Sequence, residues 1–469
     1  MAKISIKNVG PVKVLNLDVN RVNIFMGPQS SGKSTIAKII SHCQWIEKDV
    51  ATSQSLDKYK NAEYDFKKHL EKYHKLNGYF KSDSYVSYSS DVINIEYNEK
   101  KFSITWEDQY AYKRSKISYI PSDRNNVALS EIHKVEFCPD STRSFLFDWH
   151  DARKKHSKED GGLPILNLGV NYYYTEAPPF GQDNINGDSY DISLSDSSSG
   201  LQSVTPIVVL VDYLIVRIYE QDEMVSPMSE EQKKMALQKI GKRIFFEKPE
   251  IVYEPLKEIE KRQAEKKGKQ LLDDEFNKMF EQLKNMMEIL FTTDNSVLGD
   301  LMQNLSSNLE NSQSFKNFAD ITKKLFTTHN THLIIEEPEQ NLFPETQRDL
   351  VYYLLEKCFD NGKEHRLTIT THSPYILYAL NNCMLGYLVN SQLNEQEKES
   401  YFDNKFLSEK SWIDPQTVSV WEIEDGRLRK IQDKDNIIAE NYFDQITINL
   451  TDEYHQILNY YKDEDANEE

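Results

Sequence analysis

The chain has 469 residues, 56 Lys and Arg against 75 Asp and Glu, a formal net charge of −19 and a mean hydropathy of −0.65. That length is ample for a large core in more than one lobe, and the acidic balance excludes a surface that is a nucleic-acid platform throughout, though not a local basic groove. Cys43, Cys138, Cys358 and Cys383 have no C-x-x-C or metal-ligand spacing, and with no secretory signal they read as reduced thiols of a cytoplasmic protein.

The opening ISIKNVGPVKVLNLDVN alternates as strands of an antiparallel layer feeding a core sheet. The apolar run at 22–26 then enters Gly27, Pro28, Gln29, Ser30, Ser31, Gly32, Lys33, Ser34 and Thr35, which fits G-x-x-x-x-G-K-[ST] without a mismatch. A helical pattern follows, with Ile36, Ile39 and Ile40 on one face. Strand, loop and helix together identify an ATP-binding phosphate loop: the glycines let the backbone wrap a phosphate, Lys33 reaches the β- and γ-phosphates, and the Ser34 hydroxyl ligates magnesium. Residues 47–81 read as charged and helical, and 85–106 as a hairpin turning at 98–101. A strand at 117–121 runs into Ser122-Asp123-Arg124, where Arg124 either contacts phosphate or pairs with a neighbouring acid. Residues 160–190, rich in Gly, Pro, Asn and Asp, read as a loop around which 171–175 and 190–194 pair.

Ser198, Ser199, Gly200 and Gln202 precede an apolar helix-like run at 204–215. Hydroxyls followed by glycine at a helix start make a second anion-binding terminus, or else a Ser-rich linker with an N-cap. The run near 207–216 is too short to span a membrane and is broken by Asp212. Residues 217–330 form the largest insertion; Phe276, Met279, Phe280, Leu283, Met286, Met287, Leu290 and Phe291 make a helical stripe that packs within a lobe or docks a partner. Gly268 argues against one long coil.

A buried strand at 331–335 closes on Glu336 and Glu337, with Pro338 as its stop. Adjacent carboxylates there are costly unless they face a cation or a polarised water; Glu336 suits the magnesium shell and Glu337 the attacking water, the plainer alternative being two solvated acids. The strand at 366–371 delivers His372 to the same end, where it would bridge the γ-phosphate and that water. A further strand is expected at 387–389, a hairpin at 418–423 and 427–431 through Asp425-Gly426, and helices near 435–446 and 452–461 before a solvated acidic end.

The order of phosphate loop, SSSGLQS, IEEPEQNLFP and TTHSPYIL resembles the SMC/OLD-like branch of ABC-type ATPases, in which SSG-x-Q stands for the usual signature and EEPE for the usual acidic pair. GPQSSGKST, YIPSDR at 119–124 and the THSPYIL block with Ala379-Leu380-Asn381-Asn382 are most similar to anti-phage defence ATPases, in particular the ATPase subunits of PARIS systems. The likeness lies mainly in 1–45, 117–125, 190–216 and 331–385. It implies an α/β P-loop head with a mixed-sheet core, an antiparallel β layer and an inserted helical or coiled-coil lobe. The head would comprise 1–216, with a small α/β insertion at about 47–115, and 331–469; the lobe would be 217–330.

The resemblance also implies ATP and magnesium as ligands, with Glu337 and His372 catalytic. Ser198, Ser199, Gly200 and Gln202 would cap the γ-phosphate of the opposite protomer, making a homo-oligomer of ATP-sandwiched heads. In that family such an ATPase is a sensor and scaffold that holds a separate toxic effector, a TOPRIM-type nuclease, and a phage-encoded protein is the trigger. An SMC- or repair-type ATPase acting on DNA, and a Septu-like ATPase paired with an HNH nuclease, are the alternatives. Two departures stand out: Arg124 lies where ABC ATPases carry a glutamine, and position 336 is Glu rather than Asp. About 85 residues follow the THSP block, too few for a TOPRIM fold, so nuclease activity is not expected in this chain itself.

Overall fold

The computed structural model describes residues 2–99, 101–129, 140–176, 181–220, 323–359, 362–394 and 406–461, with isolated helical positions between 235 and 321 and at 397. The fold is α/β, an eleven-stranded mixed sheet beside a separate four-stranded antiparallel one. In chain order, β1 (Ala2–Val9) and β2 (Val12–Val19) pair antiparallel, with Ala2 opposite Val19, and bury alternate residues as their sequence pattern requires. β3 (Val22–Met26) is buried throughout; Val22, Ile24 and Met26 enter one core cluster and Phe25 the other, the double burial that a central parallel strand needs.

β4 (Phe80–Ser89), β5 (Ile93–Asn98) and β6 (Lys101–Trp106) extend the β1 edge as a three-stranded meander, where the sequence suggested a single hairpin. β7 (Ser115–Ile120) follows. The small sheet holds β8 (Leu163–Pro164), β9 (Asn171–Thr175), β10 (Gln182–Asn186) and β11 (Asp191–Ser193) in the order β11-β10-β9-β8. The expected pairing of 171–175 with 190–194 is therefore wrong: β10 lies between them. Its sequence QDNIN conceals a strand because Ile185 is its single apolar residue.

β12 (Asn330–Glu336), β13 (Arg366–Thr371), β14 (Val418–Glu424) and β15 (Arg427–Lys430) complete the main sheet, ordered β6-β5-β4-β1-β2-β15-β14-β3-β13-β12-β7. The Asp425-Gly426 turn has φ of 49° and 73°, the left-handed pair that a tight hairpin demands. Helix Lys33–Ser53 covers one face with Ile36, Ile39, Ile40, Cys43 and Ile46, while helices Ser199–Val211, Pro344–Phe359 and Pro374–Gln392 cover the other.

Helix Ser199–Glu220 continues through a π-helical stretch at Asp212–Arg217 and is longer than the sequence suggested. Its 22 residues, with an 18-residue window of mean hydropathy 1.7, would suit a membrane span by length and composition alone, yet 61% of that window is buried within the protein, as in a core helix.

Two further expectations are corrected. Residues 387–389 belong to helix Pro374–Gln392, where Gly386 admits the Trp412 ring so closely that a Cβ would lie 2.1 Å from its Nε1. The two terminal helices are one, Tyr442–Leu458, started by a capping box of Asn441 and Asp444. Of the apolar stripe in the insertion, Phe276 and Phe280 are buried in the core cluster beneath helix Lys33–Ser53, while Met279, Leu283, Met286, Met287, Leu290 and Phe291 lie outside the described residues.

Candidate nucleotide site

β3 ends at Met26 and the chain turns at once, with φ of 142° at Gly27, 60° at Ser30 and 110° at Gly32. A Cβ on Gly27 would meet the Ile423 carbonyl oxygen at 2.6 Å, and one on Gly32 would meet Val12 Cγ2 at 2.7 Å. Only glycine lets the loop close against these neighbouring strands. Pro28 and Gln29 form the loop's outer limb, Ser31 Oγ is buried without a hydrogen-bond partner, and Ser34 and Thr35 lie in the first helical turn. The first amides of that helix have no partners of their own within it, which makes the turn a natural anion cradle.

Lys33 Nζ donates to the carbonyls of Gly27 at 2.9 Å and Pro28 at 2.8 Å, and lies 3.4 Å from His372 Nδ1. An ammonium has donors only, so Nδ1 accepts and the ring proton sits on Nε2, 3.2 Å from Glu337 Oε1. Sheet order produces this chain of contacts. β13 lies between β3 and β12, with Thr371 opposite Met26 and Thr370 opposite Glu336, so Gly27, His372 and Glu337 leave adjacent strands at one level.

Burial pulls the Lys33 ammonium down to about 8, against the opposing pull of Glu337 and Glu339. The hydrogen bond from His372 holds the Glu337 carboxyl below its ordinary value, against its own burial. Glu337 sits at φ 44°, a strained setting for a side-chain-bearing residue, with its amide donating to Thr370 O at 2.8 Å. Glu339 Oε1 accepts the His372 amide at 2.5 Å, and burial pushes the Glu339 carboxyl up.

Glu336 occupies a separate polar nest. Its Oε1 accepts from Tyr119 OH at 2.6 Å and lies 3.8 Å from Lys38 Nζ, while Oε2 has one long contact, 3.4 Å from the Ser122 amide. Ser34, half-buried, spends its hydroxyl on no hydrogen bond among the described residues. A free hydroxyl and a lightly engaged carboxylate oxygen are hard oxygen donors of the kind magnesium takes, directly or through water, and the orphaned Ser31 hydroxyl and glycine cradle suit phosphate.

Arg124 departs from both sequence readings. Its guanidinium is fully buried and donates to backbone carbonyls: Nε to Ser203 at 3.0 Å, Nη1 to Glu336 at 2.8 Å and Pro121 at 3.3 Å, Nη2 to Glu337 at 2.9 Å and Pro338 at 3.4 Å. Among the described residues it pairs with no carboxylate, and with its N–H groups all given to carbonyls it has none free for a phosphate. Burial pulls it down to about 10, against Glu339 and Glu337, so it remains a cation at neutral pH.

The serine stretch packs against the loop that follows β12. Ser198 caps helix Ser199–Val211 by accepting from the Leu201 amide at 3.4 Å, and Ser198 and Ser199 are exposed. Gln202 turns inward, its Nε2 donating to the carbonyls of Ser195 at 2.9 Å and Ser197 at 3.0 Å. Asn341 Nδ2 donates to Ser203 Oγ at 2.9 Å, and a Cβ on Gly200 would lie 3.0 Å from Asn341 O. Sequence reasoning missed Lys38, Tyr119, Glu339 and Asn341. Lys38 was findable, one helical turn beyond Ser34, whereas the other three depend on strand register and a loop path that no local pattern encodes.

No protein-family profile matches the chain, and no curated protein is similar to it. Solved structures are similar to it at low identity. The SMC head domain from Thermotoga maritima is 9% identical, covering 94% of this chain and 98% of that one with a TM-score of 0.33. The recombination mediator protein RecF with ATP is 12% identical over 91% and 98%, with a TM-score of 0.23. The dimeric ATP-binding cassette MJ0796 bound to ADP and phosphate is 10% identical over 92% and 99%, also with a TM-score of 0.23. Likenesses this slight carry no conclusion about the site.

Proposed function

We propose that this chain binds and hydrolyses ATP as an ABC-type head, in a pocket that a second copy completes. The observation that carries the reading is the contact chain Lys33–His372–Glu337 at the mouth of the phosphate loop. Lys33 exchanges its two loop carbonyls for phosphate oxygens. Glu337, ionised and aimed by His372, accepts the proton of the attacking water. His372 keeps Glu337 aimed through its Nε2–H; a bond from its ring to the γ-phosphate requires a second proton, on Nδ1. Magnesium held through Ser34 and Glu336 would spread the charge on the β- and γ-oxygens.

The serine stretch supports a second copy. Among the described residues, no hydrogen bond or ion pair joins residues 197–203 to residues 27–35, and the helix start at Ser198 and Ser199 faces solvent. Phe343, in the neighbouring loop, is 82% exposed, a large apolar side chain suited to burial at such a joint. The test is Glu337→Gln: ATP binding is retained, phosphate release falls roughly a hundred-fold or more, and ATP now holds a dimer seen by light scattering. Undiminished turnover would assign the water to another group.

On the sequence resemblance, the head pair serves as a cytoplasmic sensor and scaffold of anti-phage defence. It holds a separate TOPRIM-type nuclease and releases it when a phage-encoded protein arrives. Co-expression of Glu337→Gln with the neighbouring genes tests this role. A nuclease that co-purifies with the ATP-bound form and leaves on addition of the trigger supports it. Salt-dependent DNA binding with no such nuclease supports a DNA-associated ATPase instead.

A further inference from the structure

We infer that Arg124 is a positioning residue that couples the two nucleotide pockets of a head pair, by clasping the loop carrying Glu337 to the helix carrying the serine stretch. The inference rests on the two-copy reading above and adds the coupling to it.

The clasp joins three segments. Arg124 belongs to the turn after β7, donates to Glu336, Glu337 and Pro338 at the end of β12, and reaches Ser203 in the serine helix. A buried cation of this kind is tolerable only when its donors are all engaged. Five carbonyls, those of Ser203, Pro121, Glu336, Glu337 and Pro338, converge on the one guanidinium. Lysine keeps the charge but lacks the planar fork needed to reach carbonyls on three sides.

A second tie runs parallel to the first. Asn341, at φ 61°, donates to Ser203 Oγ at 2.9 Å, and Gly200 packs closely against the same loop, a Cβ there lying 3.0 Å from Asn341 O. Glu337 itself is held at φ 44° between Thr370 O on its amide and Arg124 on its carbonyl. The start of the serine helix and the strained Glu337 backbone are thus one mechanical unit.

In a head pair that unit serves two pockets. Glu337 acts on the ATP bound by its own phosphate loop, while Ser198 and Ser199 meet the ATP held by the partner. Capture of the partner's γ-phosphate by the serine helix therefore fixes the carbonyl frame that sets Glu337, and each pocket gains its catalytic geometry when the other is filled. Coupling of this kind appears as cooperativity in ATP concentration.

The experiment measures nucleotide affinity, kcat, the Hill coefficient of ATP hydrolysis and Tm in the native full chain, Arg124→Lys and Asn341→Ala. The native chain is expected to give a Hill coefficient between 1 and 2. Arg124→Lys should keep its nucleotide Kd within about two-fold while kcat falls about ten-fold, a barrier change of about 1.4 kcal/mol, and the Hill coefficient drops towards 1. Asn341→Ala should move kcat and the Hill coefficient the same way by less. Unchanged kcat and Hill coefficient in both variants overturn the coupling; so does a loss of affinity, turnover and Tm in step, which marks a merely structural residue. Should Arg124→Lys fail to fold, Asn341→Ala decides alone, an unchanged Hill coefficient overturning the coupling. Absence of turnover in the native chain removes the ATPase reading as well. Native turnover with indifferent variants removes the coupling only.

Discussion

Lys33 is drawn in two directions, and the balance makes its chemistry testable. Burial pulls its ammonium down to about 8 while Glu337 and Glu339 resist. Phosphate oxygens would add negative charge beside it and restore the proton. The sign follows from this: in the free chain Lys33 is charged below about pH 8 and loses its proton above that, whereas the ATP-bound form keeps it. ATP affinity is therefore level up to about pH 7.5 and then weakens, approaching ten-fold per pH unit, as binding takes up a proton. Titration calorimetry at pH 7.5 and 9.0, in buffers of different ionisation enthalpy, reads both effects. Lys33→Arg should remove the slope, because a guanidinium does not titrate there, and Lys33→Ala should cost about a hundred-fold in affinity at every pH. A flat native profile with no proton uptake would place the ammonium away from the phosphates.

At the scale of elements, the serine helix carries the claim that two copies share a pocket. Gly200→Asp is a poor probe, since a Cβ there already lies 3.0 Å from Asn341 O and the chain would be strained within itself. Ser199 is exposed at the first helical position, where a carboxylate suits the helix dipole yet repels a phosphate. Ser199→Glu should fold, bind ATP and fail to hydrolyse it, as Glu337→Gln does. Mixing the two inactive chains should restore activity, because the mixed pair has one pocket with an intact Glu337 and an intact serine helix. Random pairing makes half the dimers mixed with one complete pocket each, so about a quarter of native turnover is the ceiling, and the Arg124 coupling lowers it further because that pocket's Glu337 belongs to the chain whose own serine helix is substituted. No recovery would mean that each pocket is built within one chain. The elements of this site were the legible ones: β3 and β12 carry short apolar runs and β13 a β-branched one, each ending in chemistry, and Asp425-Gly426 announced its hairpin. What escaped was encoded elsewhere. β10 has almost no apolar residues, helix Pro374–Gln392 runs through Gly386 because Trp412 fills the space, and the work of Arg124 is visible only once Ser203 and Glu336 are neighbours in space.

Across the whole molecule, histidines buried in the neutral form set a second pH dependence, independent of nucleotide. Burial pulls His42 and His332 down to about 3, and His156 and His365 to about 4. They are spread over helix Lys33–Ser53, the turn after helix Ser141–Arg153 and the starts of β12 and β13. His332 donates from Nδ1 to Gln44 Oε1 at 2.6 Å and accepts the Thr368 hydroxyl on Nε2 at 2.9 Å, so its pocket is fitted to an uncharged ring. Between the unfolded value near 6.5 and these depressed values the unfolded chain binds more protons than the folded one, so stability rises with pH and is lost on acidification. Lowering the pH from 6.5 to 5.0 costs up to about 2 kcal/mol for each such histidine, against a total stability of about 5–15 kcal/mol. Two buried carboxyls, Glu47 and Glu339, are pushed up by burial and act in the opposite sense in this range, but they are two against five, since burial also pulls His74 well below its ordinary value. The urea midpoint should therefore fall steeply between pH 7.5 and 5.0, followed by tryptophan fluorescence without nucleotide. His332→Gln, which keeps a donor and an acceptor in that pocket, should lessen the fall whatever it does to the midpoint at pH 7.5. Equal midpoints at the two pH values would mean that the buried imidazoles accept protons in the folded state as readily as in water.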